Sequence, residues 1–334
     1  MFNKKTLCLV LVFSMVLMFG ILSVNAESVT LKLGNKEADI HHESIALKRF
    51  AELVEEKTNG EVKVNNFYNE ALGKPNVQLE NVIQGVQDIY VVGYYVMEKY
   101  VPDFKLTELL YYFKNREHFE NFLKSDIVAG FEKELLEKTG MRVISTARNW
   151  WLGPYRAMCS KEPVLTVEDI DGLRLRAPDS KTVIRIWQGL DANVTVVPWS
   201  EVYLALSQGL VDAATGTIMD MSYEKFYEVA PHITTTNSKF QQACILMNNA
   251  KFESLTEEQQ QAILEAAEEA GDYCTELLYA ELDDKLADME AKGAIFHEVD
   301  LSPWQEKARK VLLEMEAEGF ITKGLMEEVD KLAP

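Results

Sequence analysis

The sequence predicts an α/β protein of two domains, each a mixed sheet flanked by helices, and three observations carry that reading. Residues 28–67 run strand, helix, strand: SVTLKLG alternates and breaks at Gly34, ESIALKRFAELVEEKT places apolar residues at helical spacing, and Asn59-Gly60 supplies the stop before a second strand at 61–67. That order implies a parallel pair with a right-handed crossover. Residues 166–216 repeat the theme with a turn, a short strand, an amphipathic segment and a further strand and helix. The 334 residues, 47% hydrophobic and 26% charged, are enough for two domains that each bury a core.

Residues 1–26 read as a targeting segment. Lys4 and Lys5 precede an apolar run over 6–24, and Val24-Asn25-Ala26 offers a small-residue cleavage site before Glu27. The run is long enough to act as an uncleaved anchor, but the well-placed small residues favour cleavage and a secreted product. No other stretch could span a bilayer, which excludes a membrane-spanning channel. The net charge of −19 becomes −21 once Lys4 and Lys5 leave. A chain so acidic repels nucleic acid and anionic membranes, so an anionic ligand must be caught by local arginines. Cys159, Cys244 and Cys274 remain, an odd number without metal-type spacing, and are expected as buried thiols.

His41-His42 falls at the first strand-to-helix turn, on the side where open α/β sheets bind ligands. Adjacent histidines are expected to point different ways, so no shared metal is expected there. Residues 72–95 read as a loop, a helix and a short strand, whose continuous apolar run at 89–92 marks a central position. Residues 117–139 are helical and 141–147 a strand. In ARNWWLGPYRAM (147–158), aromatics stand beside Arg148 and Arg156. Trp150 reads as core, whereas Trp151 and Tyr155 suit either packing or a pocket wall for a small, partly apolar organic anion.

Thr166 with Asp169 caps a helical turn, and Asp171-Gly172 turns the chain into a strand at 173–177 that Pro178 stops. Arg176 is thereby left at the carboxyl end of a strand, where its rigid fork can grip a carboxylate with two parallel hydrogen bonds. The plainer reading, a solvated surface arginine, falls to Arg174. Ser200 is expected to cap an amphipathic helix at 201–208 with Val202, Ala205 and Leu206 inward. A strand follows at 210–213, and one at 238–247 crosses back to the first domain. Residues 256–292 are nearly all helix formers, with Gly271 a candidate bend and Gly293 the stop. A short strand at 296–299 and terminal helices over 303–332 complete the chain.

EDIDGLRLRAP at 168–178 and GLDANVTVVPWSEVYLALSQGLVDA at 189–213 resemble, in order and spacing, the extracytoplasmic solute-binding subunits of tripartite ATP-independent periplasmic (TRAP) transporters. LGKPNVQLENVIQGVQD at 72–88 and FYEVAPHITTT at 226–236 extend the resemblance over most of the mature chain. The resemblance implies a periplasmic-binding-protein-like fold with the ligand in a cleft between the domains and a long helix spanning both. One domain would comprise 27–153 plus about 242–281, and the other about 154–241 plus 282–334. It implies a small organic acid as ligand, Arg176 as its carboxylate partner and Arg156 as a second cationic contact. Trp199 takes the family's aromatic position before SEVY, and the loop with His41 and the segment at Gly93 and Tyr94 border the ligand; Trp151 is a weaker member of the set. The chain departs from the family where Thr215 and Gly216 replace a Glu and a ligand-contacting Asn. That sets the familiar sugar-acid and C4-dicarboxylate ligands in question, but not the binding mode at the arginines, and Thr215 or Thr217 becomes the substitute hydroxyl. The resemblance further implies no cofactor or metal, a monomer in the periplasm or otherwise outside the cytoplasm, and delivery to TRAP membrane subunits driven by an ion gradient.

An enzyme finds little support, since GxSxG, Walker A, GxGxxG and HExxH are all absent. A secreted hydrolase would need a carboxylate pair that nothing in the spacing selects. A sensory ligand-binding protein of the same fold is the other alternative, separated only by whether it engages a membrane transporter.

Overall fold

Strand β1 (Val29–Asn35), helix α1 (His42–Lys57) and strand β2 (Val62–Phe67) open the computed structural model, which describes residues 28–334. The targeting segment and its cleavage site fall outside the described residues. β1 and β2 pair in parallel, Val29 opposite Val62 and Gly34 opposite Phe67. Helix α2 (Pro75–Ile83) leads to β3 (Ile89–Gly93), which is buried throughout and lies parallel to β1 on its other side. The helix expected over 117–139 is two, α3 (Arg116–Leu123) and α4 (Asp126–Thr139). The break falls at Ser125, whose hydroxyl bonds back to the Phe122 carbonyl at 2.7 Å while its own backbone is extended. Strand β4 (Met141–Val143) follows.

The chain then builds a second sheet from β5 (Arg156–Ser160), β6 (Arg174–Ala177), β7 (Asn193–Val196), β8 (Ala213–Thr217) and β9 (His232–Thr234). Helices α5 (Lys181–Gly189), α6 (Val202–Gln208) and α7 (Ile218–Tyr223) connect these strands. The strand expected at 238–247 to cross back is β10 (Ala243–Asn248), which returns to the first sheet and lies between β3 and β4, antiparallel to both. Helices α8 (Asn249–Glu253) and α9 (Glu257–Ala291), strand β11 (Ile295–His297), and helices α10 (Ser302–Ala317) and α11 (Leu325–Asp330) finish the fold. The sheet orders are β2-β1-β3-β10-β4 and β11-β9-β5-β8-β6-β7, both mixed. Among the described residues no helix is long and apolar enough to cross a membrane.

The strand expected at 210–213 begins only at Ala213. Gly209 closes α6 in the left-handed region (φ 74°), and Leu210 in the following turn is 56% exposed. Its apolar side chain resembles a strand start in sequence, but the backbone is still turning. The capped turn at Thr166 with Asp169 is present as a reciprocal capping box.

Helix α9, about 52 Å long at 1.5 Å per residue, ties the two halves together. Ala266, Ala267 and Ala270 bury in a cluster with Leu47 and Phe50 of α1, whereas Leu278 and Met289 join a larger cluster fed by both sheets and Glu281 accepts from the Tyr223 hydroxyl of α7. The residues are small because neighbours come close. A Cβ on Gly271 would lie 2.1 Å from Asn149 Oδ1 and 2.7 Å from Trp150 Nε1, so close approach is what excludes a side chain there. Trp150 is fully buried and donates to the Ala267 carbonyl at 2.9 Å. The segments that join the sheets run side by side: Leu152 donates to Gln241 at 3.2 Å and Ala243 to Trp150 at 2.8 Å.

Candidate functional site

Strand β6 delivers Arg176 near its own carboxyl end, opposite Thr195 late in β7 and Ala214 at the start of β8. The side chain is buried, its Nε donating to the Val197 carbonyl at 2.9 Å and its guanidinium lying 5.3 Å from the Trp199 ring centre. Among the described residues neither Nη has a hydrogen-bond partner and no carboxylate pairs with it. Burial pushes its pKa down to about 10, and the charge of Arg156 acts in the same direction. Arg174, two residues earlier, is spent on a bidentate pair with Asp212 at 2.7 and 2.6 Å.

Arg156 opens β5, opposite Thr217 of β8. Its two Nη atoms donate to the Gln241 side-chain oxygen and, at 3.2 Å, to the Thr215 hydroxyl. Both partners are neutral, and burial again lowers the pKa. The strand register therefore brings Thr215 to the arginines. Trp199 stands over Phe226 edge-on at 5.3 Å, and a Cβ on Gly216 would sit 3.4 Å from both its ring and the Asp220 side chain. The glycine that replaces the family's Asn thus forms the floor between an indole and a carboxylate.

The first domain contributes charges that the sequence reading passed over. Lys36 and Glu37 follow β1, are buried and pair with each other, and the Lys36 ammonium lies 4.5 Å from the Trp199 ring centre. Burial opposes the Lys36 charge, but Glu37, Asp220 and Glu43 outweigh it and hold the pKa above its ordinary value. His41 caps α1, its Nδ1 accepting from the Glu43 amide at 3.1 Å, and its Nε2 faces Asp220 Oδ1 at 3.5 Å. Burial opposes the Asp220 charge as well, yet His41, Lys36 and the Thr217 amide, at 2.9 Å, hold its carboxyl well below the usual range. The sequence signal for these residues was slight: a charged pair just past a strand, and a Thr217–Asp220 capping box.

Donor atoms of Glu37, His41 and Asp220 come within 4.8 Å of one another, a spacing that invites a metal. The hydrogen-bond network argues otherwise. With Nδ1 accepting, the imidazole proton is assigned to Nε2, so no lone pair faces Asp220. Lys36 already supplies a cation to Glu37. The His41 and His42 rings, expected to diverge, stack at 4.3 Å because both are packed under Tyr223. Their Nε2 atoms nevertheless face different groups: that of His41 approaches Asp220 Oδ1 at 3.5 Å without forming a hydrogen bond, and that of His42 bonds to the Trp151 carbonyl.

Two of the sequence candidates lie apart from this cluster. The Tyr94 hydroxyl accepts from Arg148 at 3.1 Å, and Arg148 pairs with Glu132 at 2.6 Å. Its neighbour Tyr95 is the tyrosine whose phenol feels the charges of Lys36 and Arg176. Trp151 packs under the Arg116 guanidinium at 4.1 Å, beside the sheet-joining segments. Two large hollows, of about 440 and 550 Å³, have linings that do not include Arg176.

The cluster is assembled from both sheets and faces inward between them, which is the arrangement of a ligand cleft. Known proteins share the sequence pattern and the fold. The sequence matches the family described as bacterial extracellular solute-binding protein, family 7, over residues 33–318. A solute-binding protein of Sulfitobacter sp. strain NAS-14.1 is 31% identical over 275 residues, 82% of each chain. The 2,3-diketo-L-gulonate-binding periplasmic protein YiaO of Escherichia coli K12 is 29% identical over 270 residues, 81% of this chain and 80% of that one. The crystal structure of a TRAP periplasmic solute-binding protein from Roseobacter denitrificans with bound L-galactonate superposes with a TM-score of 0.83 at 25% identity, covering 92% of this chain and 99% of that chain. A family match over most of the chain and a shared two-sheet architecture lead to one conclusion: this chain belongs to family 7 of the bacterial extracellular solute-binding proteins, the solute-binding subunits of TRAP transporters.

Proposed function

We propose that this protein captures a small hydroxylated monocarboxylate outside the cytoplasm, through an ion pair with Arg176, and hands it to TRAP membrane subunits. The observation that carries this reading is the buried Arg176 guanidinium, with both Nη atoms free at the carboxyl end of β6. A buried charge without a counter-ion is costly, and a ligand carboxylate supplies the missing one with bidentate geometry. Arg156 stands as the second cationic contact and Trp199 as one wall.

The charge balance supports a monoanion. Lys36, Arg156 and Arg176 face Glu37 and Asp220, while Lys239 is already paired with Glu108. Burial holds the carboxyls of nearby Glu43 and Glu224 above their ordinary values, and with both protonated one positive charge is left for the ligand, too few for a dicarboxylate or a phosphate dianion. Glu37 Oε2 and Asp220 Oδ1 are buried without hydrogen-bond partners and suit hydroxyl donors. L-galactonate, bound by the Roseobacter protein, is a polyhydroxylated monocarboxylate of this kind. The missing Asn at Gly216 therefore does not remove that class, because Asp220 and Glu37 provide other acceptors.

The domain division at 27–153 plus 242–281, and 154–241 plus 282–334, follows sheet membership, and the domains close about the sheet-joining segments as the ligand selects the closed state. Thermal shift tests the proposal, with wild type and Arg176→Ala run against L-galactonate, D-gluconate, succinate, glycerol phosphate and galactose. At a hundred times the dissociation constant a ligand adds about 2.7 kcal/mol by mass action. Stabilisation of wild type alone by a hydroxylated monocarboxylate is expected. Stabilisation that survives loss of Arg176, or a response to neutral galactose only, would overturn the carboxylate reading.

A further inference from the structure

Tyr94 and Tyr95 follow β3, and the fold sends their hydroxyls to different places. Tyr94, which the family resemblance sets beside the ligand, has its hydroxyl occupied by Arg148 at 3.1 Å. Tyr95 turns the other way. β3 runs parallel to β1, so Tyr95 and Lys36 both stand just past the carboxyl ends of neighbouring strands. Burial pushes the Tyr95 phenol above its ordinary pKa, and the charges of Lys36 and Arg176 act against that shift. The phenol therefore lies within reach of both cations and keeps its proton at neutral pH.

The side chain is half-buried, and its hydroxyl has no hydrogen-bond partner among the described residues, yet it is not sealed off as the Tyr90 hydroxyl is. The two acids whose charges reach it are already engaged, Glu37 by Lys36 and Glu108 by Lys239. The ring itself is held in place. A Cβ at Gly93 would lie 3.1 and 3.3 Å from two of its carbons. The hollow beside it, shared with Glu108, Lys239 and Gln241, is about 20 Å³, room for one water. An ordered O–H donor thus stands near two cations without an acceptor of its own, and an anion supplies one.

We propose that Tyr95 is a specificity-determining contact of the Arg176 cleft, its hydroxyl donating to the ligand carboxylate that Arg176 grips. This rests on the carboxylate reading above and adds the residue that tells an acid from its neutral counterpart. A carboxylate has about four acceptor sites, so two guanidinium bonds leave room for a phenol. A charge-assisted bond of this kind is stronger than one to a hydroxyl in the same place. Tyr95 comes from the first sheet and Arg176 from the second, so the carboxylate is held from both sides of the cleft, and the full set of contacts exists only when it is closed.

Calorimetry tests this with L-galactonate, D-gluconate and neutral galactitol against wild type, Tyr95→Phe, Tyr94→Phe and Arg176→Ala, alongside melting curves of each ligand-free protein. Tyr95→Phe is expected to weaken binding of the acids on the order of tenfold or more and to treat galactitol as wild type does. Its ligand-free melting temperature should match wild type, because the hydroxyl it loses has no partner. Tyr94→Phe should do the reverse, keeping the affinity and lowering the melting temperature. Unchanged acid affinity in Tyr95→Phe, with binding lost in Arg176→Ala, overturns this proposal and leaves the carboxylate reading standing. A Tyr95→Phe variant that melts early as it loses affinity makes the role structural and overturns it too. Binding of neither acid to wild type, or equal binding by Arg176→Ala, overturns the carboxylate reading and this proposal with it.

Discussion

His41 and Asp220 face each other from different domains, Nε2 to Oδ1, at 3.5 Å, and both are buried. One is the cap of α1 on the first sheet and the other belongs to the capping box of α7 on the second. Two ordinary helix-start devices therefore meet at the interface, and Lys36 adds a cation to the same point. Asp220→Asn keeps an acceptor for the Thr217 amide but removes the charge. The buried Lys36 ammonium then loses one of its counter-charges, which costs about 3 kcal/mol, and urea unfolding of the variant should show a loss of that order. A loss below about 0.5 kcal/mol, the range of an ordinary surface substitution, would mean water screens the pair.

Stability should also decline between mildly acid and mildly alkaline pH. Burial, with Glu37 nearby, raises the Glu43 carboxyl above its ordinary value, and burial pushes Glu224 up to about 7. A carboxyl whose folded pKa is raised contributes stability that is fully present below its unfolded value of 4.5 and is lost as pH rises through the folded value. Asp220 has the opposite sign: its contribution is present at neutral pH and lost only as pH falls below 3.8. Buried His42, whose pKa is depressed, gains stability as pH rises to 6.5 and opposes the carboxyls below that value, so the melting temperature should fall between about pH 6.5 and about pH 8. The Glu43→Gln, Glu224→Gln double variant should flatten that slope. An unchanged slope in the double variant would assign the decline to other groups.

The lips of the cleft are held by charge-assisted hydrogen bonds and by an ion pair of Lys74 with Glu201 at 3.3 Å. Ser200, expected as a helix cap, instead donates to Glu70 at 2.8 Å and accepts from Lys74 at 2.6 Å, both on the facing domain. Thr182 donates to Glu98 at 2.7 Å across the same gap. Each bond to a charged group is worth about 1.5–3 kcal/mol. Ser200→Ala with Thr182→Val should raise the ligand off-rate on the order of tenfold or more and increase the radius of gyration of the ligand-free protein in X-ray scattering. Identical scattering and off-rates would show that these contacts do not hold closure.

Gly271→Ala and Gly130→Ala should move stability in opposite directions. Alanine gains about 1 kcal/mol over glycine in a helix interior, and nothing lies within 4 Å of a Cβ at Gly130 in α4, so that variant should be stabilised. At Gly271 the new methyl meets Asn149 and Trp150, and overpacking of about 1–3 kcal/mol should outweigh the gain. Denaturant midpoints decide it, and a stabilised Gly271→Ala would show that the Asn149–Trp150 segment yields easily.

Much of this was legible along the chain because it is local. Alternation and the proline stop place Arg176 at a strand end, helical spacing delimits α1 and α9, and the Thr166 capping box is a four-residue pattern. The family resemblance singles out Arg156 in residues 147–158 and Trp199 before SEVY, and both lie with Arg176 in the structure. Lys36, Glu37 and Asp220 escaped because acids and lysines are common on solvated faces, and only packing shows which of them are buried. Tyr94 and Tyr95 are adjacent in sequence, and the turn after β3 decides which one meets Arg176 and which meets Arg148.

By itself the sequence determined the α/β class, the element order, the arginine at the end of β6 and the family. Those follow from periodicity, stops and caps, which act over a few residues. Tertiary structure alone decided that Lys36, Glu37 and His41 meet Asp220 across the cleft, that His41 carries its proton on Nε2, and that Ser200 serves the cleft lip rather than its own helix. The physical reason is that desolvation and charge pairing depend on which side chains share a buried volume, and residues nearly two hundred positions apart share one only after the two sheets have come together.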